Sequence, residues 1–302
     1  MDHPESSERV RSLRHPRGDS WRALSVGDWT VRIEGLDSDL ARQLDRRWGA
    51  FLSREDVAGP TRTVQVFDAG ESGWLELTRP GEPYRMEALG PRGDVVVVSY
   101  HFALAGQSAP HGWRVGISES ADEPTQRVLD NVMRFVVARL ALDHGGFALH
   151  AAATFYEGRA FLFAGPSGAG KTTAVRLSAP AVSIGDDFAL VVPGGDRWYA
   201  PALPFDNSER VAGQPPRGLL PAAGVWRLYK SQQTRVETPS RGLAAASLMG
   251  CAAFPWAVPE QAGALLEHVR GFVADAHFAH LHFEKRAPLL ETLLSDLRRL
   301  GD

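Results

Sequence analysis

Residues 165–172 read GPSGAGKT, which satisfies the Walker A pattern G-x-x-x-x-G-K-[ST] and restricts what the surrounding chain can become. Backbone amides can converge on an anion where glycines admit the required dihedrals, and the positive N-terminal end of a following helix adds to that field. The loop therefore needs a strand before it and a helix after it. Both are legible: RAFLFA (159–164) is a short apolar run, and TTAVRLSA reads as a helix ended by Pro180. Gly165, Pro166, Ser167, Gly168, Ala169 and Gly170, with Lys171, Thr172 and Thr173, are the candidate nucleotide-binding residues. Lys171 can reach β- and γ-phosphates, and the Thr172 hydroxyl can bind Mg²⁺.

Asp186 follows only fifteen residues after Lys171, room for one short helix and a direct return to the sheet. GTPases and ABC-type ATPases interpose more chain, and neither N-K-x-D nor L-S-G-G-Q occurs. At a strand end beside a phosphate loop, Asp186 and Asp187 suit Mg²⁺ binding and deprotonation of an acceptor hydroxyl. The run FALHAAATFY (147–156) precedes RAFLFA with only Glu157 and Gly158 between them, which predicts a tight antiparallel hairpin. If those two residues form the turn, Tyr156 faces Arg159 and His150 faces Gly165, at the mouth of the loop. A bulge would displace it.

The rest of the chain is less informative about chemistry. WTVRI (29–33), TRTVQVF (61–67), YRMEAL (84–89), DVVVVSYHF (94–102) and WRVGI (113–117) read as strands, interrupted by one helix in DLARQLDRRWGAFL. Residues 21–118 thus form a strand-rich α+β N-terminal module, behind a charged tail over 1–20 expected to be disordered. A helix over 123–142, capped by Asp122 or Ser120, places Val128, Leu129, Val132, Val136 and Leu140 on one face and opens a second domain over 119–302. Downstream come a single strand VSIGDDFALVV, a strand VWRLYK, and helices in RGLAAASLMG, PEQAGALLEHVRGFVADA and PLLETLLSDLRRL.

Charge and cysteine content narrow the partners. With 33 basic and 36 acidic residues the net charge is −3, so neither nucleic acid nor an anionic membrane is favoured as a partner. One cysteine, Cys251, points to a reducing, cytoplasmic setting, and the N-terminus lacks a signal-peptide core. Homo-oligomerisation is compatible with everything in the sequence.

With His150, GPSGAGKT and the tandem aspartates in that order, the chain resembles the HPr kinase/phosphorylase family and its HPr kinase-like relatives. The likeness is best over about 145–210, including the spacing from His150 to Gly165. The resemblance implies an α/β P-loop kinase domain of the HPr kinase/PEP carboxykinase type, using ATP and Mg²⁺. It implies Lys171 on phosphate, Thr172 and Asp186 on the metal side, Asp187 as the base and His150 as its electrostatic partner. The acceptor would be a hydroxyl, serine of a protein or peptide, or that of a small molecule. The family's downstream glutamate signature is missing; Asp206 and Glu209 in PFDNSER are the nearest acidic residues, which leaves the phosphorylase half-reaction unsupported. The N-terminal module resembles the leader of HPr kinase-like proteins associated with peptide-modifying clusters. A non-catalytic ATP-binding regulatory or scaffold protein is the alternative; a carboxykinase acting on a small acid lacks its arginine cluster.

Three other features have simpler readings. His277, His280 and His282 in AHFAHLHFEK could bind metal but also suit a polar strand face. Arg227 and Lys230 could meet phosphate or an acidic acceptor, and Cys251 reads as packed.

Overall fold

The β-branched and aromatic runs of the first half pair into one sheet, as their alternation requires. The computed structural model describes residues 3–55, 62–70, 74–75, 87–89, 94–107, 112–119, 123–205, 216–254 and 259–299. The chain is mixed α/β, with two sheets and seven α-helices among the described residues. It divides into two compact units between Val136 and Val137, inside a helix, and not near residue 119.

In the first unit the elements are α1 (His3–Ser12), β1 (Ser20–Val26), β2 (Trp29–Leu36), α2 (Ser38–Trp48), β3 (Leu52–Ser53), β4 (Arg62–Asp68), β5 (Glu87–Leu89), β6 (Asp94–Val98), β7 (Phe102–Gln107) and β8 (Trp113–Ile117). The eight strands run in the order β3-β1-β2-β4-β8-β7-β6-β5. Pairs β2/β4 and β4/β8 are parallel and the rest antiparallel. Asp37 caps α2 by accepting from the Leu40 amide at 2.8 Å, and the helix buries Leu40, Leu44 and Trp48. Helix α3 (Thr125–Asp143) follows, with Val128, Leu129, Val132, Val136 and Leu140 all buried. Its Asp130 accepts from Trp48 Nε1 at 2.8 Å and from Arg47 Nε at 2.7 Å, so a buried carboxylate is fully partnered.

Two expectations for this unit need correction. The leader is helical where disorder was expected: Val10 is fully buried against Trp74, Val98 and Ala103, and the Arg9 guanidinium lies 4.0 Å above the Trp74 ring. Gly116 makes room for it, since a Cβ there would lie 2.7 Å from a Leu13 methyl. Composition missed this because the partner surface comes from Trp74 and from β6 to β8, far away in sequence. DVVVVSYHF is not one strand but β6 and β7, joined by a tight turn in which Ser99 N–H donates to Phe102 O at 2.9 Å. Residues 84–86 of YRMEAL, the Asp122 and Ser120 caps, and Asp206 and Glu209 lie outside the described residues.

In the second unit the elements are β9 (Phe147–Leu149), β10 (Ala151–Tyr156), β11 (Arg159–Ala164), α4 (Lys171–Leu177), β12 (Val182–Gly185), β13 (Ala189–Gly194), β14 (Arg197–Pro201), β15 (Leu219–Lys230), β16 (Arg235–Glu237), α5 (Arg241–Met249), α6 (Pro259–Asp275), β17 (Phe278–Phe283) and α7 (Leu290–Arg298). The sheet order is β12-β10-β11-β15-β14-β13-β9, with β17 on β15 and β16 on β17. Strands β11, β15 and β17 are mutually parallel; the flanking pairs are antiparallel. Phe161, Phe163, Trp226, Leu228, Leu281 and Phe283 share one sheet face, where they pack with Ala174 and Val175 of α4 and Leu293 of α7. Behind Trp226 a buried polar knot closes the same core: Trp226 Nε1 donates to Asp296 Oδ2 at 2.8 Å, and His277 Nε2 sits 2.7 Å from that oxygen.

The two long strand runs expected here are each broken. FALHAAATFY parts at His150, because β9 pairs with β13 while β10 pairs with β11. VSIGDDFALVV parts at Asp186–Phe188, between β12 on β10 and β13 on β9. Both breaks fall on candidate site residues. A strand that changes partners leaves backbone out of the ladder, and that is where side chains can leave the pleat.

Candidate functional site

The geometry begins with a two-residue turn. Glu157 (φ 44°) and Gly158 (φ 77°) both take positive φ, the requirement of a type I′ hairpin, whose twist matches that of the strands it joins. Tyr156 accordingly faces Arg159, and Ala151 faces Ala164 without a bulge. The register carries one step further: Gly165 N–H donates to His150 O at 3.0 Å. A second bond fixes the same junction, from His150 N–H to Cys251 O at 2.7 Å. His150 is thus held by backbone at the start of the loop, leaving its imidazole half-exposed.

The loop itself depends on two kinds of glycine. Gly165 is needed for close approach, since a Cβ there would stand 2.7 Å from the Ala169 Cβ. Gly170 takes φ 104° and lies under the Phe283 ring, 2.8 Å from where its own Cβ would be. Gly168 has positive φ with open space above it, on the face a ligand would approach.

Lys171 is buried, and its ammonium is folded back on the loop, donating to Gly165 O at 3.1 Å and Pro166 O at 3.2 Å. Its third contact is the Asp187 carboxylate, 2.8 Å away. Thr172 Oγ1 donates to Asp186 Oδ1 at 3.3 Å. A pocket of about 400 Å³ opens over these groups. Ser167, Gly168 and Gly170 line it from the loop, and Lys171, Thr172 and Thr173 line it from the start of α4. Asp186 and Asp187 supply one wall. Of the other expected residues, Gly165 is buried behind the loop, Pro166 contributes its carbonyl, and Ala169 packs toward the core.

Asp187 is held in an unusual state. Its φ of 63° lies in the left-handed region, which non-glycine residues enter at a cost, Asp and Asn least reluctantly. Its Oδ1 is 3.6 Å from His150 Nδ1 as well as 2.8 Å from Lys171 Nζ. The His150 imidazole and then the Lys171 ammonium outweigh partial burial and hold the Asp187 carboxyl well below the usual carboxylate range. Strain of this sort persists only where surrounding contacts over-determine it. Here they are His150 and Lys171, which with Asp187 make up the three residues singled out in sequence as a catalytic group.

A ninth lining residue, Lys285, was not singled out in sequence. It lies in the turn just beyond β17, a region read only for its histidines. The parallel sheet supplies the missing signal: ligand crevices in α/β sheets form outside the carboxyl ends of parallel strands, and Lys285 follows such an end.

The remaining candidates are placed as follows. His280 Nε2 lies 3.1 Å from Ser247 Oγ, while His282 stacks on Tyr229 and approaches Glu237 at 3.1 Å. No metal-binding group of three or more His, Cys, Asp or Glu occurs among the described residues. Arg227 pairs with Ala164, and its Nη1 lies 3.0 Å from the Cβ position of Gly165, behind the loop and off the pocket. Cys251 is buried, and burial raises its thiol pKa. No helix among the described residues is long and apolar enough to cross a membrane.

Residues 116–258 match the model of a family described as SynChlorMet cassette protein ScmC. The matched segment contains His150, the glycine-rich loop and both aspartates, and ends before β17. None of the curated proteins matches the chain.

Proposed function

We propose that the second unit is an ATP-dependent phosphotransferase of the HPr kinase-like P-loop type, acting on a hydroxyl, with serine of a protein or peptide as the expected acceptor. The observation that carries this reading is the convergence of Lys171 and His150 on one strained carboxylate, Asp187, at the mouth of the glycine-rich loop. A loop that only bound nucleotide would not need such a group. Phosphoryl transfer is mostly positioning and charge neutralisation, and a carboxylate at this point can orient and deprotonate an acceptor.

The residues fit the donor and its metal. Glycines leave the loop floor open, and Thr172 Oγ1 with Asp186 Oδ1 offers two adjacent hard oxygens. Mg²⁺ is commonly held by one or two protein oxygens, with water and phosphate completing the set; when bound it supplies charge neutralisation on the phosphates. Asp187 would accept the hydroxyl proton as the acceptor oxygen bonds to the terminal phosphorus and the bond to the departing diphosphate oxygen breaks. A carboxylate paired to Lys171 is a poor base. As Lys171 turns from Asp187 to phosphate, the carboxylate loses one of the two partners that depress it and becomes more basic, so donor binding and base activation are coupled.

The test is Asp187→Asn, which keeps shape and tolerates the left-handed backbone. Transfer of label from γ-labelled ATP to serine-containing acceptors should fall about 10²- to 10⁴-fold, the usual contribution of a general base, while ATP binding persists. Transfer at the parental rate would remove Asp187 as the base. ATP binding that needs Lys171, with no acceptor labelled by the parent protein, would favour a regulatory or scaffold role.

A further inference from the structure

Lys285 is the cation in the pocket that the proposed mechanism does not use. It enters from the turn after β17, on the opposite side of the loop from the aspartates. Strand β11, which launches the loop, has β10 and then β12 on one flank, and β15 and then β17 on the other. His150 directly precedes β10 and the two aspartates directly follow β12, so on the loop's side of their junctions with β9 and β13 they leave strands of the first flank. Lys285 comes from the second, and the contact of Phe283 with Gly170 brings the end of β17 against the loop. Among the described residues Lys285 has no ion-pair partner, whereas Lys171 is already engaged by Asp187. An exposed lysine with a free head beside a phosphate cradle is placed to meet an anion.

The two flanks also give the ligand a direction. The transferred phosphate must lie beside Asp187, on the β12 flank. The rest of the polyphosphate then runs across the loop and past Thr173 toward β17. We propose that Lys285 binds the α- and β-phosphates of the nucleotide, clamping the chain from the strand end opposite the aspartates. This inference rests on the nucleotide-binding reading above and extends it beyond the segment that matches the cassette family. A compact ammonium on a flexible stem can follow the phosphates without dictating one geometry.

Binding of ATP and of ADP, each with Mg²⁺, is measured by calorimetry for the parent, Lys285→Ala, Lys285→Arg and Lys171→Ala. Loss of one charge-assisted contact at an exposed position should weaken ATP and ADP by the same factor, about tenfold, in Lys285→Ala, and Lys285→Arg should recover most of it. Lys171→Ala should weaken ATP more than ADP. Thermal melting of Lys285→Ala should match the parent, since the side chain is exposed. Unchanged affinity in Lys285→Ala, or weakening confined to ATP, overturns the assignment to the α- and β-phosphates. A parent protein that binds neither nucleotide overturns both this inference and the reading beneath it.

Discussion

Adding a single methyl group at Gly170 tests whether the loop is built as described. In Gly170→Ala the new Cβ meets two independent penalties. The backbone must keep φ 104°, a region L-residues rarely enter, at a cost of about 1–3 kcal/mol. The methyl must also coexist with Phe283, whose Cζ lies 2.8 Å away and whose ring is fully buried in the core under α4 and α7. Overpacking of that kind costs about 1–3 kcal/mol. Together the two place the loss at roughly 2–6 kcal/mol, a large share of the 5–15 kcal/mol that holds a typical protein folded. Gly168→Ala is the internal control, since it carries positive φ (74°) but nothing lies within 4 Å of the added Cβ. It should cost only the backbone part, about 1–2 kcal/mol. Urea denaturation followed by fluorescence measures both. Adding Phe283→Leu to Gly170→Ala should recover part of the excess, giving a coupling term in the double-mutant cycle. Equal stabilities for the two alanine variants, or a cycle without coupling, would refute the proposed contact between β17 and the loop, and with it the approach of Lys285 to the phosphates.

Two further predictions concern the scaffold. Glu157→Asn should stabilise the protein by about 0.5–1 kcal/mol in a thermal melt, because Asn accepts the positive φ that the type I′ turn imposes on Glu157. Asp45 is held down to about 2, first by its hydrogen bond from Arg22 and then by Arg54. A depressed carboxylate stabilises the fold above its unfolded pKa near 4, and that contribution, about 2 kcal/mol, is lost as pH falls toward 2. Parent and Asp45→Asn should therefore differ in urea midpoint at pH 7 and converge near pH 2; a difference independent of pH would show that the Arg22 pair is not its source.

Much of the candidate site could be read because its parts are local. Glycines at 165, 168 and 170, a lysine and a threonine within eight residues specify a loop through dihedral freedom alone, whatever surrounds it. The hairpin is local too: two turn residues set the pairing of twelve others, so His150 could be counted to Gly165 without knowing the sheet. Even the α3 face followed from spacing. Nothing local, however, shows that Val10 has a pocket to fill, and a charged decapeptide then looks like a disordered tail. Nor does local pattern show where a continuous apolar run changes partners. His150 and the Asp186–Asp187 pair were read as lying in or at the end of strands, when each stands at a break between two ladders. That break is what frees Asp187 to adopt left-handed backbone and turn toward Lys171.

The sequence by itself determined the loop, its lysine and the hairpin register, because each follows from bonds among neighbours whose geometry allows few alternatives. Only the tertiary structure decided which distant groups meet there. The order β12-β10-β11-β15 with β17 alongside brings aspartates from one flank and Lys285 from the other to a common opening. Strand order is chosen by burial of whole sheet faces, here Phe161, Phe163, Trp226 and Phe283 against α4 and α7. That is a sum over residues far apart in the chain, and no short stretch contains it.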